Sequence, residues 1–245
     1  MRILAFDTAT RATAVALCGV GDVVYVARDD PPDGRRPGHA TRLLPLSVSV
    51  LERAGISWDD VERIAVGVGP GTFTGLRIGI ATARALAQAR NVPVVGVSTL
   101  QSLALAGAWA SQRSADTEAL RSGLDVVLAV LDARRGEVFA AGWRIEEAEA
   151  FEAALLAPRA IPPEGLAELM APLGPSALAI GDGAVAFRDV LERTGSFIPE
   201  DHSPLHRVTA MHHCRLAGRL PATGPGEVRP EYLRAPDAEI ARTRK

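Results

Sequence analysis

Residues 69–79, GPGTFTGLRIG, set glycines, hydroxyls and an arginine ahead of an Ala-rich stretch, the ingredients of a phosphate cradle. Glycines at the head of a helix let backbone N–H groups converge on an anion at its positive end. The formal patterns fail, however. Walker A needs GxxxxGK followed by Ser or Thr, and a GxGxxG begun at Gly67 or Gly69 meets Thr72 or Thr74 at its last position. A structural turn is therefore the better local reading. Asp7, which ends an apolar run before Thr8 and Thr10, reads either as a metal or phosphate contact or as the cap of its own turn. Capping is favoured there, and a hairpin turn at Asp132 in DARRGE. His202, His206, His212, His213 and Cys214 form the one group with metal-ligand character, but Ser203-Pro204 within HSPLH argues against a shared helical face. Surface and core histidines are the favoured reading. No Ser-His-Asp or Cys-His arrangement can be inferred from spacing.

Composition narrows the chemistry further. Lys245, the last residue, is the only lysine among 27 basic residues. A P-loop, Schiff-base or kinase lysine thus has no candidate inside the fold, and arginine cannot supply a neutral amine or a compact point charge. A net charge of −2 gives no global field favouring nucleic acid. Cys18 and Cys214 are separated by almost the whole chain, which suggests neither a disulfide framework nor a thiolate metal cluster. No apolar run has the length of a membrane span, and MRILAFDTAT is too short for a secretion signal, so a cytoplasmic location is expected.

The elements that must position these residues alternate. Short apolar runs at Ile3 to Phe6, Thr13 to Leu17 and Val23 to Ala27 predict a strand meander. A Pro/Gly-rich loop leads to a helix at Thr41 to Ala54, with Pro45 placed near its first turn, and then to a strand at Val61 to Val68. The glycine turn, a helix to Arg90, a strand at Val92 to Val97 and a helix at Thr99 to Ser111 follow. A polar stretch, SQRSADTEALRSG, precedes a second meander at Val126 to Leu131 and Glu137 to Trp143. Beyond it come a Pro/Ala-rich connection, a helix near Gly165 to Met170, a strand at Ala177 to Ile180 ending in GDG, and helices at Ala184 to Arg193 and Thr209 to Arg219. The expected division is an amino-terminal lobe, 1–103, completed by 208–220, a second lobe, 104–207, and a mobile tail, 221–245.

Two helices carry surplus apolar faces. The first has Leu43, Leu46 and Val50 in one row and Leu44, Val48 and Leu51 in another. The second has small residues at Gly75, Gly79, Ala83 and Ala87 and again at Ala81, Ala85 and Ala89, rows that let another helix approach closely. Arg77 and Arg84 share its third face. One row of each can serve the protein's own core and the other a partner.

Seven segments, in order, carry a resemblance to the TsaB (YeaZ) family: ILAFDTATRATAVAL, HATRLLPLSVSVLERAG, GVGPGTFTGLRIGIATARALA, VPVVGVSTLQSLA, LAVLDARRGEVF, IGDGA and RPEYLRAP. The resemblance covers nearly the whole chain, with the GPGTFTGLRIG block its most specific part. It implies an α/β fold of the actin/Hsp70/sugar-kinase type, two ribonuclease H-like lobes with mixed sheets, each begun by one meander. It also implies a non-catalytic scaffold that binds and activates TsaD and acts with the ATPase TsaE in placing a threonylcarbamoyl group on the adenosine beside the tRNA anticodon. No cofactor of its own is expected, with ATP and the metal residing in the partner subunits, tRNA engaged indirectly, and a homodimer forming when TsaD is absent. The family's contact through the first two helices of the first lobe maps onto Leu43, Leu46, Val50, Arg77, Gly79, Ala83 and Arg84. Asp7, Thr8, Gly181, Asp182 and Gly183 are the corresponding vestigial nucleotide contacts. The alternatives are an active ATPase or small-molecule kinase of the same fold, using Asp7 and the loop at Asp182, and a metallopeptidase, which lacks a credible ligand set.

Overall fold

The computed structural model describes residues 1–32, 34–113, 123–148, 154–173 and 177–234. Near-continuous apolar runs, as expected of strands covered on both faces, build β1 (Ile3–Asp7) and β2 (Thr13–Val20), which with β3 (Val23–Asp29) form an antiparallel meander. Helix α1 (His39–Ala54) carries the chain back, and β4 (Arg63–Gly69) pairs parallel with β1. Helix α2 (Phe73–Arg90) and β5 (Val94–Ser98) complete a sheet of order β3-β2-β1-β4-β5.

The second half repeats the plan. After α3 (Thr99–Arg113), β6 (Val126–Arg134), β7 (Glu137–Arg144) and β8 (Ala154–Ile161) form another meander. Helix α4 (Pro163–Met170) leads to β9 (Ala177–Ile180), which lies parallel beside β6 as β4 lies beside β1. The order β8-β7-β6-β9 thus matches β3-β2-β1-β4, an internal duplication of one lobe plan. Short helices α5 (Asp182–Ala186) and α6 (Arg188–Glu192) follow, and α7 (Ala210–Ala217) returns to the first sheet.

Three elements depart from expectation. Strand β8 was expected to be irregular connection; it tolerates Pro158 because it is the sheet edge, where a missing N–H leaves no ladder bond unmade. Helix α1 starts at His39, so Pro45 falls in its second turn, on an exposed face where the carbonyl it cannot bond is solvated. The helix expected over Ala184 to Arg193 breaks at Phe187, whose φ is −121°. The SQRSADTEALRSG stretch lies largely outside the described residues, as does 235–245.

Helices α1 and α2 cover one face of the first sheet, sealing Leu4, Phe6, Val15 and Leu17 against Leu43, Val50, Ile80 and Ala83. The other face meets α3 and α7 through Leu105, Ala210, Cys214 and Leu216. Helix α3 also sends Leu100, Leu103, Ala104 and Ala108 into the core beneath the second sheet. A division at 103/104 therefore cuts one continuous helix that serves both lobes. Residues 221–234, assigned above to a mobile tail, form a strap: Thr223 bridges Val94, Val228 enters the first core, and the Glu231 N–H donates to the Val68 carbonyl at 2.7 Å. Among the described residues no helix is long and apolar enough to cross a membrane.

Candidate functional site

Asp7 ends β1 with its side chain sealed, 1% exposed. One carboxylate oxygen accepts the Ala9 N–H at 2.8 Å, the turn-capping contact; the other accepts the Thr99 hydroxyl at 2.8 Å and lies 3.0 Å from His213 Nε2. His213 Nδ1 stands 2.7 Å from Ser102 Oγ. Burial alone would raise the Asp7 carboxyl, but the His213 bond and charge, helped by Ala9 and Thr99, hold it below the usual carboxylate range. Gly67 is part of the seal, since a Cβ there would stand 1.9 Å from the carboxylate.

This is a Ser-His-Asp line assembled from α3, α7 and β1, which no sequence spacing revealed. Its chemistry is structural. Ser102 and His213 are both 0% exposed, so no substrate reaches the hydroxyl. Thr8, also buried, donates its hydroxyl to the Gly75 carbonyl at 2.7 Å. Asp7 and Thr8 are therefore corrected from nucleotide contacts to internal braces, their polar atoms already bonded within the protein.

The GDG loop has a similar explanation. A Cβ at Gly181, where φ is +113°, would lie 2.0 Å from the Val130 carbonyl oxygen, and one at Gly183 would lie 2.7 Å from the Leu131 carbonyl carbon. The glycines let α5 close onto β6. Asp182 accepts the Asp132 N–H at 3.0 Å, while Asp132 accepts the Arg134 N–H at 2.7 Å. Desolvation first, and then the nearby Asp132 charge, raise the Asp182 carboxyl. The histidines diverge: His202 pairs with Glu200 at the surface, His206 bonds the Pro199 carbonyl, His212 lies edge-on to Trp109, and His213 faces Asp7.

The GPGTFTGLRIG turn is clamped rather than open. The Thr72 N–H donates to the Ala9 carbonyl at 2.8 Å, and Cβ atoms at Gly75 and Gly79 would approach the Thr8 carbonyl oxygen and hydroxyl to 2.0 and 2.4 Å. The row Gly75, Gly79, Ala83 and Ala87 thus faces the protein's own sheet. So does Leu43, Leu46 and Val50 on α1, with Leu43 and Val50 fully buried. These are corrections to the expected partner surface: β1, β2 and β4 already cover those side chains.

Of the complementary rows, Leu51 is buried in the first core and the other members point outward. Leu44 and Val48 on α1 are 46% and 37% exposed, and Ala81, Ala85 and Ala89 on α2 are exposed too, with Ala81 on the side of α2 that faces the strap. Phe73, 39% exposed, stacks on Tyr232 of the strap, and the Arg77 guanidinium lies 3.7 Å over the Phe73 ring. Arg84 bonds the Val228 carbonyl; with Arg77, Arg229 and Tyr232 it lines a groove of about 660 Å³ between α2 and the strap.

The family model described as "TsaD: tRNA N6-adenosine threonylcarbamoyltransferase" matches residues 32–210. The Escherichia coli tRNA threonylcarbamoyladenosine biosynthesis protein TsaB is 38% identical over 203 residues, 80% of this chain and 77% of its own. The Bacillus subtilis protein of the same name is 30% identical over 57% of this chain, which spans about half of that relative, 53%. The solved structure of YeaZ from Pseudomonas aeruginosa superposes with a TM-score of 0.70 at 28% identity, covering 95% of this chain and 99% of that one.

Proposed function

The chain belongs to the TsaB family, and from that membership and the outward rows of α1 and α2 we propose that it is a non-catalytic subunit in tRNA threonylcarbamoyladenosine biosynthesis. It docks on a TsaD-type partner and activates it, working in the cytoplasm with TsaE. The partner supplies the metal, the nucleotide and the transfer chemistry; this chain supplies a surface. The observation that carries this reading is the exposure of apolar side chains on both helices, Leu44 and Val48 on α1 and Ala81 and Ala85 on α2. Two side-by-side helices whose outer faces are short and apolar accept two more helices in a bundle, because small residues permit close approach. In the partner's absence a second copy covers the same face.

The enclosed Asp7 supports the assignment of catalysis to the partner. A kinase of this fold needs that strand-end carboxylate turned toward its nucleotide, whereas here Ala9, Thr99 and His213 occupy it. Depleting the chain from its native cells is expected to remove threonylcarbamoyladenosine from tRNA nucleoside digests, with restoration by the wild type and none by Leu44→Glu/Ala85→Arg. Normal modification in depleted cells would contradict the proposal. Titration calorimetry of the isolated chain with ATP and magnesium is expected to give no heat of binding; tight binding with turnover would restore the kinase reading.

A further inference from the structure

Two thiols at opposite ends of the sequence meet in the fold. Cys18, partly exposed on β2, stands opposite Ile3 of β1. Cys214, buried on α7, places Sγ 3.5 Å from the Ile3 carbonyl oxygen and 3.7 Å from that of Ala16. Ala16 and Cys18 are two residues apart on one strand and so share a face. Helix α7 therefore lays Cys214 against the side of β2 from which Cys18 projects, within one apolar cluster. The neighbouring Cys214 side chain first, and then the Ile3 backbone, the amino-terminal ammonium and Arg215, lower the Cys18 thiol against the opposing pull of partial burial. Burial first, and then the adjacent sulfur, push Cys214 up. A partly exposed thiol inclined to ionise beside a buried one held protonated is the arrangement of an attacking and a resolving cysteine.

We propose that Cys18 and Cys214 form a hydroperoxide-sensitive site that closes to an intramolecular disulfide joining β2 to α7. The Cys18 thiolate attacks one oxygen of hydrogen peroxide; the O–O bond breaks, hydroxide leaves and takes up a proton as water, and Cys18 becomes a sulfenic acid. Cys214 then loses its proton and attacks the Cys18 sulfur; the S–O bond breaks and the hydroxyl departs with a proton as a second water. Two thiols and one peroxide thus give one disulfide and two waters. Bond formation draws the sulfurs to about 2.05 Å. Cys18 sits where the β2–β3 register shifts between Leu17 and Val20, a local irregularity able to absorb that movement.

The test is to expose the reduced full-length chain to hydrogen peroxide and read thiol content, intact mass and non-reducing peptide maps. Loss of two titratable thiols per chain, a single Cys18–Cys214 crosslink and recovery with dithiothreitol are expected. Cys18→Ser is expected to retain its Cys214 thiol, and Cys214→Ala to stop at a dimedone-reactive sulfenic acid on Cys18. Should Cys214→Ala fail to fold, alkylating wild-type Cys18 with iodoacetamide before the peroxide is expected to leave Cys214 unoxidised. Retention of both thiols, crosslinks between chains, or equal oxidation of Cys214 once Cys18 is replaced or alkylated would overturn the proposal.

Discussion

Asp7 illustrates how a residue type underdetermines its role. A strand-end aspartate followed by threonines signals either a ligand contact or a turn cap, and the cap is visible locally because the Ala9 N–H lies two residues on. The remaining partners, Thr99 and His213, come from elements at long sequence separation, so only the packed fold reveals them. Asp7→Asn keeps the volume but removes the charge facing His213, and is expected to cost about 3 kcal/mol or more in urea unfolding. The folded Asp7 carboxyl lies below its unfolded value, so its contribution is complete above the unfolded value and fades as pH falls through the folded one. His212 acts over a higher window. Desolvation first, then Arg215 and His213, bring it down to about 4, while its Nδ1 finds no hydrogen-bond partner among the described residues. The unfolded chain binds that proton near pH 6.5 and the folded chain only near 4, so stability is full above the first value and falls between the two, by about 3 kcal/mol. Replacing His212 with Leu is expected to flatten the unfolding free energy between those pH values; an unchanged slope would show that another group controls it.

At the scale of elements, periodicity exposed two apolar rows on α1 and two small-residue rows on α2, but not which row faces inward. The rows are chemically alike, and only the position of β1, β2 and β4 distinguishes them. Leu43 is closed over by that sheet whereas Leu44, one residue on, is 46% exposed. Leu43→Ala is accordingly expected to lower stability by about 2–5 kcal/mol, while Leu44→Glu should stay within about 0.5 kcal/mol, both read by denaturant titration. Gly79→Val belongs with the first: its Cβ would enter the space of the Thr8 hydroxyl, 2.4 Å away, and overpacking of this kind costs about 1–3 kcal/mol. Thermal melts that left Gly79→Val as stable as the wild type would place that glycine on the surface after all.

For the whole molecule, the duplication was legible because each lobe opens with a meander of short apolar runs and each returns a parallel strand to its first. The seam between the lobes was not, since α3 reads as an ordinary apolar helix and nothing in its period says that it serves two cores. Nor was the strap, because Pro and Gly between Leu220 and Tyr232 read as loose chain, while backbone bonds at Thr223 and Glu231 and the burial of Val228 hold it. Truncation after Leu220 is expected to lower the melting temperature by several degrees, about 2–4 °C for each kcal/mol lost. The strap and α2 together frame the outward face on which the proposed function depends. Co-expression of a TsaD-type partner with the tagged chain tests that face most directly, using wild type, the folded Leu44→Glu/Ala85→Arg variant, and Glu168→Arg on an exposed position of α4 in the other lobe. The partner is expected to co-purify with the wild type and Glu168→Arg and to be lost from Leu44→Glu/Ala85→Arg; undiminished recovery with that variant would contradict docking through α1 and α2.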